Sequence, residues 1–275
     1  MTITAPGLVH DMSNADYHAQ DDWLSSSMLK ALLPEHYKTG GSQEALDFGT
    51  LFHTAVLEPD NLAEYVALDA EKIGVKADGT PAQNPTMTAA WKKAVAEVES
   101  DGKTVIAQAD LDRALAMREA VTRHDLARRF LFDTEGAAEE SAFAEVDGVP
   151  CRARFDKRIP GAVIDLKSTS GKPGRNAISR SVVDYGYDLS AAHYLAVAAE
   201  LGLDVQAFAL VFVAKTEPYY VTVCDLDKQF LARGRALRHL AIERHLNPAE
   251  PPYEGAAGFL TLDCPRWAEI GDDAA

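Results

Sequence analysis

Three short apolar segments between residues 141 and 168 constrain the fold of this chain more than any other feature. The turn signal Asp147-Gly148 separates the first segment from the second, and Pro160-Gly161 separates the second from the third. Segments of this kind, joined by such turns, are typical of antiparallel hairpins. The sequence therefore predicts a three-strand meander with strands at about 141–146, 149–158 and 162–168.

Helical patterns flank this meander on both sides. A serine cluster suited to N-capping opens a predicted helix at Leu24 to Tyr37, and a broad apolar side marks a second at Ser42 to Asp60. Further helices are predicted at 88–99, 108–132, 187–201 and 227–245, and further strands at 207–214 and 219–226.

This order of elements predicts an α/β fold with a mixed central sheet flanked by helices and with additional N-terminal helices. We expect one domain over residues 1–250, with a helical insertion at about 61–133. The remainder, 251–275, is rich in Pro, Gly and Ala and is predicted to be a loosely ordered tail.

Composition narrows the class of protein. No apolar run approaches the ~20 residues that span a bilayer, and the first residues do not form a basic leader followed by an apolar stretch, so we expect a cytoplasmic protein. The three cysteines form no CxxC pair, which argues against a disulfide scaffold, a zinc ribbon or a four-cysteine cluster.

Charge is distributed unevenly along the chain. The formal net charge is -15, yet the segment from Cys151 to Arg180 carries eight basic residues against two acids. Phosphate binding normally requires a basic surface. The segment therefore indicates either a local contact with a polyanion or a strand pair with solvated Lys and Arg side chains.

The third predicted strand, VIDLKSTS, places charged residues inside an apolar stretch. Asp165 and Lys167 are two positions apart and so point to the same face. A hairpin centred on Pro160-Gly161 puts Asp156 directly opposite Asp165, and two like charges at that distance require a cation between them. This pattern predicts a site for Mg²⁺ or Mn²⁺ suited to hydrolysis, the alternative being an ordinary edge-strand ion pair.

Several segments resemble one family. An acid on one strand followed by (I/V)DLK on the next resembles the signature of PD-(D/E)xK nucleases. LDFGTLFHTAVLEPD resembles the G-x-x-x-H helix of the RecB-like branch. YHAQDDWLSSSMLKALLPEHY and EESAFAEVDGVPCRARFDKRIPGAVIDLKST resemble the RecE-type (exonuclease VIII) nuclease domain, and together these segments cover most of residues 8–245. The resemblance implies a restriction-endonuclease-like PD-(D/E)xK core.

The resemblance also implies roles for individual residues. It makes Asp156, Asp165 and Lys167 the catalytic residues, and it makes His53, Asp156, Asp165 and the Leu166 carbonyl the metal ligands. Gly49, one turn before His53, would leave room for close approach of another backbone or of the metal site. Glu140 matches an acid that precedes the meander, although a solvated strand-edge glutamate is a nearly equal alternative.

Other positions are candidates for contact with substrate. Ser25 and Ser27 lie at a helix start that suits an anion, with helix capping as the alternative. Lys172, Arg175 and Arg180 follow the third strand in a predicted Gly- and Pro-bearing loop and could clamp a phosphate backbone. Tyr194 matches the tyrosine of the family's Q-x-x-x-Y motif or is a core aromatic, and Ser190 stands where the family has glutamine.

The function implied by the resemblance is a metal-dependent exonuclease acting on linear double-stranded DNA. It would degrade 5′ to 3′ and leave 3′ single-stranded tails for a RecT-type annealing recombinase, as a homo-oligomeric ring and with a phage or prophage origin. Rival interpretations are an inactive DNA-end-binding protein, a RecB- or Cas4-like single-strand nuclease, and a hydrolase of small phosphoesters.

Overall fold

The computed structural model describes residues 2–38, 41–76, 78–80 and 82–248 of the protein. The strands of this part of the chain are β1 (Gly7–Val9), β2 (Tyr65–Leu68), β3 (Thr104–Ala107), β4 (Ala137–Val146), β5 (Val149–Ile159), β6 (Gly161–Thr169), β7 (Val205–Ala214) and β8 (Val221–Asp225). The α-helices are α1 (Asn14–His18), α2 (Ser26–Ala31), α3 (Gln43–Leu57), α4 (Ala70–Ile73), α5 (Ala89–Ser100), α6 (Gln108–Arg123), α7 (Asp125–Arg128), α8 (Arg175–Tyr185), α9 (Tyr187–Glu200) and α10 (Lys228–Leu246).

Six strands form one mixed sheet in the order β1-β4-β5-β6-β7-β8. Every neighbouring pair is antiparallel except β6 and β7, which run parallel. A parallel pair needs a crossover connection, and α8 and α9 lie in sequence between β6 and β7. The predicted mixed sheet and its three-strand meander are thereby confirmed.

Turn chemistry sets the register of the meander. Asp147 and Gly148 both have positive φ, as a two-residue type I′ turn requires, and Val146 pairs with Val149. Gly161 has a φ of 82° after Pro160, and Ile159 pairs with Ala162 as predicted.

The second hairpin departs from the prediction further along. Its ladder ends at the pair Lys157 and Ile164, so the expected backbone pairing of Asp156 with Asp165 is wrong. The Asp156 carboxylate instead accepts a hydrogen bond from the Leu166 N–H at 2.7 Å. A side chain thus takes the place of the partner strand at this point.

Helices cover both faces of the sheet. On one face α2, α8, α9 and α10 pack against the sheet through a core that includes Leu29, Val182, Leu189 and Leu237. On the other face α3, α6 and α7 supply a second core that includes Phe52 and Met117. The sheet is therefore buried on both sides, and residues at its centre are shielded from water.

Some elements differ from the sequence-based expectation. The predicted loop carrying Arg175 and Arg180 is helical from Arg175 onward, as α8. The region 61–133, expected to be helical, also contains β2 and β3, which pair in parallel. The predicted tail at 251–275 lies outside the described residues. Across the described ranges, no helix combines the length and apolar character needed to cross a membrane.

Alanine substitution of two glycines that lie inside helices, Gly234 and Gly49, tests this packing. A Cβ on Gly234 of α10 would lie 2.1 Å from the Asp188 backbone oxygen, whereas a Cβ on Gly49 of α3 would meet nothing within 4 Å. We expect Gly234→Ala to lower the free energy of unfolding by about 1–3 kcal/mol. Gly49→Ala should raise it by up to about 1 kcal/mol, because alanine favours a helix over glycine. Urea denaturation of both variants measures the difference, and equal effects would contradict the close contact of α10 with α9.

Candidate active site

The backbone of Leu166 in β6 is held at its N–H and at its carbonyl by side chains from other elements. Its N–H donates to the Asp156 carboxylate of β5 at 2.7 Å. Its carbonyl oxygen lies 2.8 Å from Nε2 of His53, which is supplied by α3. The backbone of one residue therefore ties the second and third strands of the meander to the helix that covers them.

His53 also brings two carboxylates together. Its Nδ1 lies 3.5 Å from Oε1 of Glu139 on β4 and 3.7 Å from Oδ2 of Asp156. One ligand atom from each of these three residues falls within 4.8 Å of the others. Four elements, α3, β4, β5 and β6, thus converge on one small volume.

Lys167 is the next residue of β6, and its side chain faces Asp165. Its Nζ is 2.5 Å from Oδ2 of Asp165 and 3.9 Å from Oδ2 of Asp156. It also donates a hydrogen bond to the Leu166 carbonyl at 3.3 Å. The structure therefore brings together the predicted residues His53, Asp156, Asp165, Leu166 and Lys167.

Burial and charge shift the protonation of these groups in opposite directions. Burial raises the pKa of Asp156 to about 7, and Asp165 adds to the effect. Burial disfavours a charged imidazole at His53, but the carboxylates of Asp156 and Glu139 outweigh it and raise the pKa to about 9. Burial likewise opposes the charge of Lys167, yet Asp165 and Asp156 raise its pKa above the ordinary value. At neutral pH, His53 and Lys167 are therefore the cations that balance the clustered acids.

Strand β5 is irregular next to Asp156. Side chains in a regular strand alternate faces, so Phe155 and Ile159 should share one face. Phe155 instead packs in the core beneath α9, and Ile159 packs in the core beneath α3. The strand therefore changes face between these two residues, whereas Asp156, which directly follows Phe155, points to the α3 side by ordinary alternation. Glu139 on the neighbouring strand β4 has a φ of 47°, and backbone in this region is uncommon for residues other than glycine and is often found at functional sites.

Glu139 is the site residue that sequence reasoning missed. The prediction named its neighbour Glu140, which is buried and bonded through both carboxylate oxygens to Arg158, at 2.5 and 2.9 Å. Glu139 is instead bonded to Arg154 Nε at 2.7 Å and faces His53. The first hairpin held the signal, because a register that pairs Val146 with Val149 also sets position 139 opposite Asp156.

The predicted substrate-contact residues at α2 (Ser25 and Ser27) and on α9 (Ser190 and Tyr194) lie in different surroundings. Ser25 caps α2 by accepting a hydrogen bond from the Met28 N–H, and Ser27 is exposed. The ring of Tyr194 packs edge-on against Phe155, with ring centres 5.7 Å apart, as the core-aromatic alternative expects. Ser190 is buried.

The basic residues after β6 lie on the surface. Lys172, Arg175 and Arg180 are all exposed, the last two on α8. Gly49 faces open space, so the predicted close approach of another backbone is wrong. It does line the cavity that His53 and Glu139 also line, as the alternative of room for the metal site expects.

A cavity of about 630 Å³ opens beside His53 and Glu139. Asp11, Glu58, Glu64 and Glu139 supply the acidic groups of its lining, and His53 and Arg154 supply the basic ones. Burial, together with the nearby Glu139, raises the pKa of Glu58. This entrance is predominantly acidic, and it gives His53 and Glu139 a route to solvent.

The donor set fits a divalent cation. Carboxylate and carbonyl oxygens suit Mg²⁺ and Mn²⁺, and three of the four candidate donors are of this kind. Asp156, Glu139, His53 and the Leu166 carbonyl supply these donors from fixed backbone positions. Asp165 points to Lys167, and its role as a ligand stays a prediction.

Comparison with known proteins identifies a family model that matches the chain and a solved structure with a similar fold. The family model of the PDDEXK-like domain of unknown function (DUF3799) matches residues 22–247. A crystal structure described as a "putative exonuclease" from Eubacterium rectale has 16% identity and a TM-score of 0.55, with 86% of each chain covered. The alkaline exonuclease LHK-Exo from Laribacter hongkongensis has 13% identity and a TM-score of 0.29, with 71% of this chain and 91% of that chain covered. No curated protein matches the sequence. The first of these structures shows a shared fold.

The neighbouring acids Glu139 and Glu140 provide a matched test of the candidate metal site. We expect Glu139→Gln to weaken Mn²⁺ binding by about ten-fold or more, because it removes a charged donor from the cluster. Glu140→Gln should leave Mn²⁺ affinity unchanged and lower the free energy of unfolding by about 1–3 kcal/mol, since it weakens a buried bond to Arg158. Isothermal titration and urea denaturation separate the two effects. Equal losses of Mn²⁺ affinity in both variants would contradict the assignment of Glu139.

Proposed function

The chain belongs to the PDDEXK-like family DUF3799, and from that membership and the geometry of the site we propose that it is a metal-dependent exodeoxyribonuclease. The membership confirms the predicted PD-(D/E)xK core and the resemblance on which it was based. The observation that carries the proposal is the convergence of Asp156, Asp165 and Lys167 beside the clamped backbone of Leu166.

Each residue has a role that its contacts support. Asp156, Glu139, His53 and the Leu166 carbonyl would hold the metal, with Asp165 as a further predicted ligand. Bound there, a divalent metal would lower the pKa of a water molecule and neutralise charge on the scissile phosphate. The His53 contact with the Leu166 carbonyl joins α3 to the DLK strand, and the Asp156 contact with the Leu166 N–H joins β5 to it.

Lys167 acts through its positive charge. Because its pKa is raised, the ammonium group keeps its proton at neutral pH and cannot serve as a general base. It can donate hydrogen bonds to the attacking water or to a phosphate oxygen as negative charge develops there. Asp165 holds the ammonium in position from 2.5 Å.

The finer features follow from the RecE-type resemblance. We propose linear double-stranded DNA as substrate, degradation from the 5′ ends, and 3′ single-stranded tails as the product used by an annealing recombinase. Exposed Lys172, Arg175 and Arg180 on and before α8 support contact with a phosphate backbone. A ring of several copies would place these surfaces around DNA, and size-exclusion chromatography with light scattering would test it against the monomer mass of 29.8 kDa.

Loss of cleavage in site variants is the first expected result. A labelled linear duplex should be degraded with Mg²⁺ and preserved with EDTA. Lys167→Ala and Asp165→Ala should each reduce the rate by about 100-fold or more, while the exposed Lys38→Ala variant, which loses only a surface ion pair with Asp184, should retain it. Binding of DNA by the unmodified protein without cleavage under any metal would overturn the enzyme and favour an end-binding protein.

The position of the label tests the direction of degradation. A duplex labelled at the 5′ end should release its label early, and one labelled at the 3′ end should give long single strands. A covalently closed circle should remain intact. Release from the 3′ ends would reverse the proposed direction, and nicking of the circle would replace the exonuclease with an endonuclease.

A further inference from the structure

A second lysine stands beside Lys167 without a carboxylate of its own. Lys30 of α2 is half-buried, and its Nζ lies 5.8 Å from the centre of the Tyr187 ring. Lys167 Nζ lies 5.5 Å from the same ring. Tyr187 is the first residue of α9. One aromatic ring thus contacts two ammonium groups, which brings Lys30 to the edge of the candidate active site.

The acids near Lys30 are already engaged by other cations. Asp165 and Asp188 are the carboxylates whose charge acts on Lys30. Asp165 is paired with Lys167, and buried Asp188 is paired with Arg233. Within the described residues, no carboxylate lies in ion-pair contact with Lys30. Lys30 therefore has no ion-pair partner in this part of the chain, and Asp165 and Asp188 act on its charge only from a greater distance.

The surroundings make that charge costly. An ammonium group removed from water without an anionic partner loses hydration that a cation–π contact restores only in part. Burial lowers the pKa of Lys30 to about 8, and the charge of Lys167 adds to the effect. Lys30 nevertheless remains protonated at neutral pH. An anion that reaches Tyr187 would gain charge-assisted hydrogen bonds from both lysines.

The two sides of the site differ in charge. The cavity beside His53 is walled by Asp11, Glu58 and Glu64 and disfavours a polyanion. On the other side Lys30, Lys167 and Tyr187 are each partly exposed. A phosphate group can therefore be stabilised on the lysine side, while the acidic side suits a cation.

We propose that Lys30 is a phosphate-binding residue, which together with Lys167 holds a phosphate group of the DNA strand against Tyr187. This inference rests on the proposed nuclease function and deepens it. The phosphate is either the one at the strand terminus or an internal diester, and both offer the same non-bridging oxygens to an ammonium group.

Binding measurements test Lys30 independently of cleavage. In EDTA, where no cleavage is expected, Lys30→Met should weaken binding of a short linear duplex by about ten-fold. It should weaken binding of thymidine 5′-monophosphate to a similar extent. Lys30→Arg should recover most of the affinity, and Lys38→Met, which removes an equal charge at the surface, should change neither. Mn²⁺ affinity should be the same in all of these variants, and thermal denaturation shows that each one is folded.

The outcomes separate this inference from the proposed function. Lys30-dependent binding of the mononucleotide by a protein that cleaves no DNA would support the phosphate site and overturn the nuclease. Full cleavage with unchanged duplex and mononucleotide binding in Lys30→Met would overturn the phosphate site and leave the nuclease standing. A loss confined to duplexes with 5′-phosphorylated ends assigns Lys30 to the terminal phosphate, and an equal loss with 5′-hydroxyl ends assigns it to an internal one.

Discussion

The clamp on the Leu166 backbone is the interaction on which the rest of the site depends. Asp156 accepts a hydrogen bond from the N–H of this residue, and His53 contacts its carbonyl oxygen. Because the ladder between β5 and β6 ends at Lys157 and Ile164, a side chain satisfies a backbone group that the neighbouring strand no longer reaches. Unsatisfied buried backbone groups cost about 1–3 kcal/mol, so the clamp stabilises the fold at the same point where it assembles the site.

The clamp also explains how an acidic cluster can be buried. Glu139, Asp156 and Asp165 repel one another, and each would be disfavoured inside the protein alone. Arg154, His53 and Lys167 supply the compensating charge from β5, α3 and β6. A divalent cation bound there would compensate part of the negative charge of the three acids. His53 would then no longer be required as an ion-pair partner of the carboxylates. In the proposed phosphate site, the positive charges of Lys30 and Lys167 beside Tyr187 would favour an anionic substrate.

Much of this arrangement could be predicted from local turn chemistry. The Pro160-Gly161 turn correctly indicated the register around Val163 and hence the proximity of Asp165 and Lys167 to Asp156. His53 came from the family resemblance, since no local rule links a helix to a strand more than a hundred residues away. Glu139 was missed because the predicted strand began at residue 141, whereas β4 begins at Ala137, so the hairpin register was not extended as far as position 139. The strand pair β2 and β3 was missed because its parallel partners are far apart in sequence and share no turn signal.

A crystal structure of the protein with Mn²⁺, recorded at the manganese absorption edge, tests the central claim most directly. The account predicts an anomalous peak beside the Leu166 carbonyl, bounded by Asp156, Glu139 and His53, with Lys167 still paired to Asp165. A peak elsewhere in the molecule, or none at a Mn²⁺ concentration that supports DNA cleavage, would contradict it.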